Sequence, residues 1–114
     1  MEKVVHYTKI EREEVKSEDA KGIHVRWLIS DRDGAPNFAM RLFEINPKGN
    51  SPKHQHSYEH EIFILEGNGK VVINDKEYEI SQGYVVFIPP NAKHTIINTG
   101  DKPLKFICLI PILK

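Results

Sequence analysis

Four histidines define the chemistry open to this chain: His54, His56, His60 and His94. In extended backbone, side chains two residues apart share a face, so His54 and His56 point the same way. His60 keeps that parity and is followed on the same face by Ile62 and Ile64. A turn at Ser57-Tyr58-Glu59 would break the phase, so parity supports His60 without fixing it. His94 lies far along the chain, just after Pro89-Pro90-Asn91, at the start of an apolar run. A barrel supplies such a remote ligand when non-adjacent strands meet across its interior. Neutral imidazole suits Zn, Cu, Fe and Ni and tolerates Mn. Histidines left unpaired inside an apolar barrel would be costly polar groups, and one divalent cation would satisfy them together. A lone His-x-His is also common on surfaces, so the reading depends on the elements around it.

Those elements are short strands. His24–Ile29, Phe38–Ile45, Glu61–Leu65, Lys70–Ile73, Glu77–Ile80, Tyr84–Ile88, His94–Ile97 and Leu104–Ile110 are apolar or alternating runs separated by turn formers. Asn74-Asp75-Lys76 reads as a tight hairpin, and Ser30–Asn37 and Asn46–Pro52 read as loops. Glu11–Lys21 is polar and fits either a helical turn or a solvated arm. The expected organisation is an N-terminal arm or short edge element over residues 1–22 and one all-β domain, a sandwich or barrel, over 23–114. Ile62-Phe63-Ile64-Leu65 and Phe106-Ile107-Cys108-Leu109-Ile110 are apolar on both faces. Either a second packed layer covers the outer face or a second copy of the chain does, and a homodimer is the favoured expectation.

Composition narrows the partners. Sixteen basic residues balance sixteen acidic ones, so no net field invites nucleic acid or an anionic membrane. With one cysteine, Cys108, neither an intramolecular disulfide nor a four-cysteine zinc site is possible. The charged N-terminus has no apolar signal region and no run approaches a membrane span, so a cytoplasmic location and a small-molecule ligand are expected.

Further side chains could take part. Arg41 interrupts an apolar strand; it would orient a carboxylate or enolate at a pocket mouth, or pair with Glu59 or Glu61, the pairing being favoured. Tyr58 is a proton donor or, preferably, an amphipathic rim residue. Catalytic candidates are thus Arg41, Tyr58 and Glu59. Strand parity groups Phe38, Met40 and Leu42, and separately Phe106, Cys108 and Ile110, as candidate pocket walls. Cys108 is expected to be buried and inert rather than a reactive thiol. His6 and His24 fall outside the four-ligand set.

The stretch Gly49–His60, with His54-Gln55-His56, His60 and Gly67 six residues on, resembles the first motif of the cupin superfamily. Gly83–Asn98, with Pro89, Asn91, His94 and Asn98, resembles the second. The first spacer is one residue short, Asn91 stands where the motif has glycine, and His60 stands where many cupins have glutamate. Asn and Gly both tolerate positive φ, so the turn is expected to survive. The four-histidine variant, with Ala35-Pro36-Asn37-Phe38 upstream and Phe106–Pro111 at the end, closely resembles small manganese-binding cupins. The resemblance implies a double-stranded β-helix (a jelly-roll barrel), a homodimer and manganese as the first choice of metal, with Fe, Ni, Cu or Zn as alternatives. Four neutral imidazoles would leave the ion its full charge, favouring anionic or enolate-like ligands. The leading functional expectation is a metal-dependent, dioxygenase-like oxidoreductase acting on a small, partly apolar substrate. A Lewis-acid lyase or isomerase and a non-catalytic ligand binder are the alternatives.

Overall fold

Nine antiparallel strands form a single curled sheet in the computed structural model, which describes residues 1–113. They are β1 (Glu13–Glu14), β2 (Lys21–Ile29), β3 (Phe38–Asn50), β4 (His60–Glu66), β5 (Asn68–Ile73), β6 (Lys76–Ser81), β7 (Val85–Ile88), β8 (His94–Asn98) and β9 (Leu104–Pro111). The order β6-β5-β8-β3-β9-β4-β7, with β2 on β3 and β1 on β2, is that of a jelly-roll β-barrel. Strands adjacent in the sheet are often remote in sequence, which brings early and late residues together on one inner face.

Alternation fixes which face is inside. Along β4, His60, Ile62 and Ile64 are buried while Glu61, Phe63 and Leu65 face outward. Ile23, Ile45, Ile64, Val71, Ile88, Ile96 and Leu104 are among the most deeply buried members of the core. β-Branched side chains suit this pleated, enclosed surface.

The turn chemistry is explicit. Asn74 and Asp75 both take positive φ in the β5–β6 hairpin. Gly67 sits at φ 96°, and a Cβ there would meet Pro103 O at 2.6 Å and Leu104 Cα at 2.8 Å. Only glycine tolerates both constraints. Ser30 caps the short 3-10 helix Asp31–Asp33, which ends on Gly34 in the left-handed region. Asn46–Asn50, expected to be loop, belongs to the end of β3. The register jumps from Ile23↔Ile45 to Lys21↔Asn50, so the turn formers are accommodated as an outward excursion of that strand, with Lys48 at φ 68°.

Residues 1–22 are tied to the barrel. β1 pairs with His24 and Val25, β2 runs through residue 22, and Val15 packs against the core. The outer face of β4, β7 and β9 has no cover among the described residues: Phe63, Val85 and Phe87 are 47%, 74% and 59% exposed. No helix among the described residues is long and apolar enough to cross a membrane.

Candidate metal centre

Two backbone connections bring the histidines together. His54 and His94 form an isolated antiparallel bridge, with His54 N donating to His94 O at 2.9 Å and His94 N to His54 O at 2.8 Å. The Asn91 amide donates to His56 O, and Asn91 holds φ 68°, so the residue in the motif's glycine position does take the left-handed turn. His60 enters from β4, opposite Ile88 of β7.

The side chains converge. Ligand atoms of His54, His56 and His94 lie within 4.8 Å of one another. The His60 ring lies beside this trio, its centroid 4.7 Å from His94 and 5.3 Å from His56. Two metal–nitrogen bonds of about 2.0–2.2 Å placed end to end span roughly 4–4.4 Å, so the trio is of the size one cation bridges. The buried nitrogens fit the same group. His94 Nδ1 donates to Ala92 O at 3.0 Å, which leaves Nε2 as a lone pair. His60 Nδ1 sits 3.3 Å from Cys108 Sγ, and its buried Nε2 has no hydrogen-bond partner. An orphaned ring nitrogen beside three other imidazoles is what a metal ligand looks like before its metal is added.

Electrostatics hold the set neutral. Burial, then the His94 and Arg41 charges, depress His60 to about 3. Burial is also the main cause lowering His54, His56 and His94. Neutral imidazole is the ligating form. Burial pushes the Cys108 thiol up, against the opposing pull of Arg41, so the thiol stays protonated and inert.

The histidines open onto a cavity of about 290 Å³. Its wall is largely apolar: Val15, Ile23, Val25, Trp27, Phe43, Ile62, Ile88, Ile96 and Phe106, with Tyr58, Arg41 and Cys108. Tyr58 lies on this wall with its ring stacked 4.7 Å over His56. No carboxylate lines it among the described residues.

Several expected positions are corrected. Phe106 and Cys108 face the cavity, but Ile110 lines a separate depression with Glu59 and Glu61. Phe38, Met40 and Leu42 do not face it either: Phe38 is 60% exposed, Met40 lines a small cleft near Pro36, and Leu42 is buried away from the histidines. The cause is register. Residues directly opposite in an antiparallel pair share a face, and β9 sets Cys108 against Arg41 and Phe106 against Phe43. The odd residues of β3 therefore turn inward. Among the described residues Arg41 forms no ion pair with Glu59 or Glu61. Trp27, Phe43 and Val15 also line the wall; Phe43 shares the parity of Arg41 on its strand, whereas nothing local in the sequence marks Val15 or Trp27.

This chain belongs to the cupin family: the cupin-domain profile matches residues 41–110. Among solved structures it is similar to the polyketide cyclase RemF from Streptomyces resistomycificus, with 35% identity, TM-score 0.90, and coverage of 97% of this chain and 80% of that one. It is also similar to a predicted oxalate decarboxylase from Thermotoga maritima, at 29% identity and TM-score 0.85 over 97% of this chain and all of that one. A glucose-6-phosphate isomerase from Thermococcus litoralis is 32% identical over 93 residues, 71% of this chain and 49% of that protein. The chain spans less than half the length of the curated relatives it matches first.

Proposed function

We propose that this cupin holds one divalent transition-metal ion on His54, His56, His60 and His94, manganese before Fe, Ni, Cu or Zn. In this reading it acts in the cytoplasm as a dioxygenase-like oxidoreductase on a small, partly apolar molecule. The observation that carries the reading is a cluster of neutral imidazoles at the head of an apolar cavity that no carboxylate lines among the described residues. The bound ion would supply Lewis acidity and, where redox-active, a centre for dioxygen chemistry. The protein's part is to keep the imidazoles neutral by burial and to exclude water with Trp27, Phe43 and Phe106. It also orients the His60 and His94 rings through Cys108 and Ala92 O. Among the described residues of the cavity wall no carboxylate stands ready to take a proton from carbon, which weighs against isomerase chemistry. The Lewis-acid lyase or isomerase reading draws its support from relatives whose names are a polyketide cyclase and a glucose-6-phosphate isomerase. We also propose that a second copy covers the apolar face around Phe63, Val85 and Phe87, because a self-complementary patch closes into a dimer.

The deciding experiment is metal analysis of chelator-free protein, then oxygen uptake with catechol-like, flavonol-like and diketone compounds. Oxygen consumption coupled to substrate loss supports the oxidoreductase. Turnover that persists without oxygen after exchange to zinc overturns it in favour of the Lewis-acid reading.

A further inference from the structure

Arg41 is a charged group in a wall that otherwise offers almost nothing to pair with it. Its Nη2 donates to Cys108 Sγ at 3.2 Å, and this is its one hydrogen bond among the described residues. Its Nε is buried with no partner. The guanidinium lies 5.4 Å from the Trp27 ring centroid and 4.8 Å from that of Phe43. Those rings hold the group in place but leave its in-plane donors unanswered. A thiol is a weak acceptor. Arg26 Nε is likewise buried without a hydrogen bond, but that side chain bonds Ile10 O and has the Glu44 carboxylate 3.8 Å away, an acid that Arg41 lacks among the described residues. A partly buried guanidinium with no carboxylate costs stability, and retaining it is sensible where the missing acid arrives with a ligand.

From this juxtaposition we infer that Arg41 is the anchor for an anionic ligand, and that the cavity takes a small organic carboxylate with a flat apolar body. The carboxylate meets the planar fork of Arg41. The body lies against Trp27, Phe43 and Phe106, with the carboxylate end toward His60, since Arg41 and His60 meet at the same Cys108 Sγ. The inference deepens the proposed function and rests on this cavity being the binding site, but recognition of charge belongs to Arg41 and not to the metal.

Trp27 is the only tryptophan and stands beside Arg41, so its fluorescence reports occupancy. The test is titration of chelator-treated protein with benzoate and with its neutral counterpart benzamide, for wild type, Arg41→Gln and Arg41→Lys. The expected result is that benzoate binds the wild type about 10–100-fold more tightly than benzamide. Arg41→Gln should abolish that preference, and Arg41→Lys should keep part of it. Thermal melting of Arg41→Gln should show no loss of stability, which separates a ligand anchor from a structural cation. Equal binding of the two compounds, no binding at tens of millimolar, or a preference that survives in Arg41→Gln overturns the inference. A preference intact in protein that never takes up metal leaves Arg41 as the anchor and sinks the metal reading instead. A preference that appears only after metal loading and ignores Arg41 does the reverse.

Discussion

His54 and His94 exchange both backbone hydrogen bonds across the barrel, so the spacing of their rings is fixed by main chain and not by side-chain packing alone. A cation should therefore find a largely preformed site. At metal concentrations about 100 times the dissociation constant, binding adds roughly 2.7 kcal/mol, which for a domain of this size raises Tm by about 10 °C. Calorimetry before and after chelation measures it. His94→Ala should remove most of the gain and weaken metal affinity beyond the roughly 10–100-fold cost of losing an outer hydrogen-bond partner. An unchanged melting curve with every tested salt would end the metal reading.

Cys108 fixes the orientation of His60. Cys108→Ala removes the neighbour of Nδ1 and frees the Arg41 guanidinium at the same time. Metal affinity should fall about 10–100-fold with the other three histidines intact, and Cys108→Ser should recover part of it. Isothermal titration resolves the two variants. The wild-type thiol should resist alkylation until the protein unfolds, since it is buried and kept protonated.

Much of this architecture is written locally in the sequence. His60, Ile62 and Ile64 share a face because β4 is already straight at His60, and that alternation is visible in the residues alone. Asn91 at positive φ is equally local, being a question of which side chains tolerate that backbone. The inward face of β3 is different. Both parities of that strand carry apolar residues, and only its register with β9, a contact remote in sequence, selects Arg41 and Phe43 over Met40 and Leu42. The same register explains why the expected Arg41 ion pair does not form. Glu61 faces outward from β4, Glu59 lies with it in the depression near Ile110, and Arg41 turns to the inside.

Asn98 closes the second motif by hydrogen bonding alone. Its Nδ2 donates to Ile45 O and Lys102 O, each at 2.8 Å, and its Oδ1 accepts from Gly100 N at 2.9 Å. Asn98→Ala leaves these groups unanswered at a position 2% exposed. The expected loss is about 2–4 kcal/mol. Urea unfolding should show a lower midpoint with an unchanged slope.

Phe63 of β4 and Val85 of β7 are directly paired, and both face solvent. A second copy laid against this face would bury them with Phe87. Light scattering should give twice the chain mass for the wild type. Phe87→Glu or Val85→Glu should shift the mass toward one chain while leaving the far-ultraviolet circular dichroism unchanged. A wild type that is monomeric at high micromolar concentration would refute the second copy as occupant.

Acid should act on the histidines before it acts on the carboxylates. Each of the four clustered imidazoles has a folded-state pKa below the ordinary 6.5, His60 reaching about 3. Between those values the unfolded chain binds protons that the folded chain does not, so stability falls as pH falls. The contribution is complete above about pH 6.5 and is lost progressively toward pH 3. Metal binding should steepen the dependence, because protons and cation compete for the same nitrogens. Melting temperatures of metal-free protein from pH 8 to pH 4 should decline once pH drops below about 6.5, and His60→Phe should flatten the curve by removing the most depressed group. A flat wild-type profile across that window would show that the imidazoles take up protons as readily inside the barrel as in water.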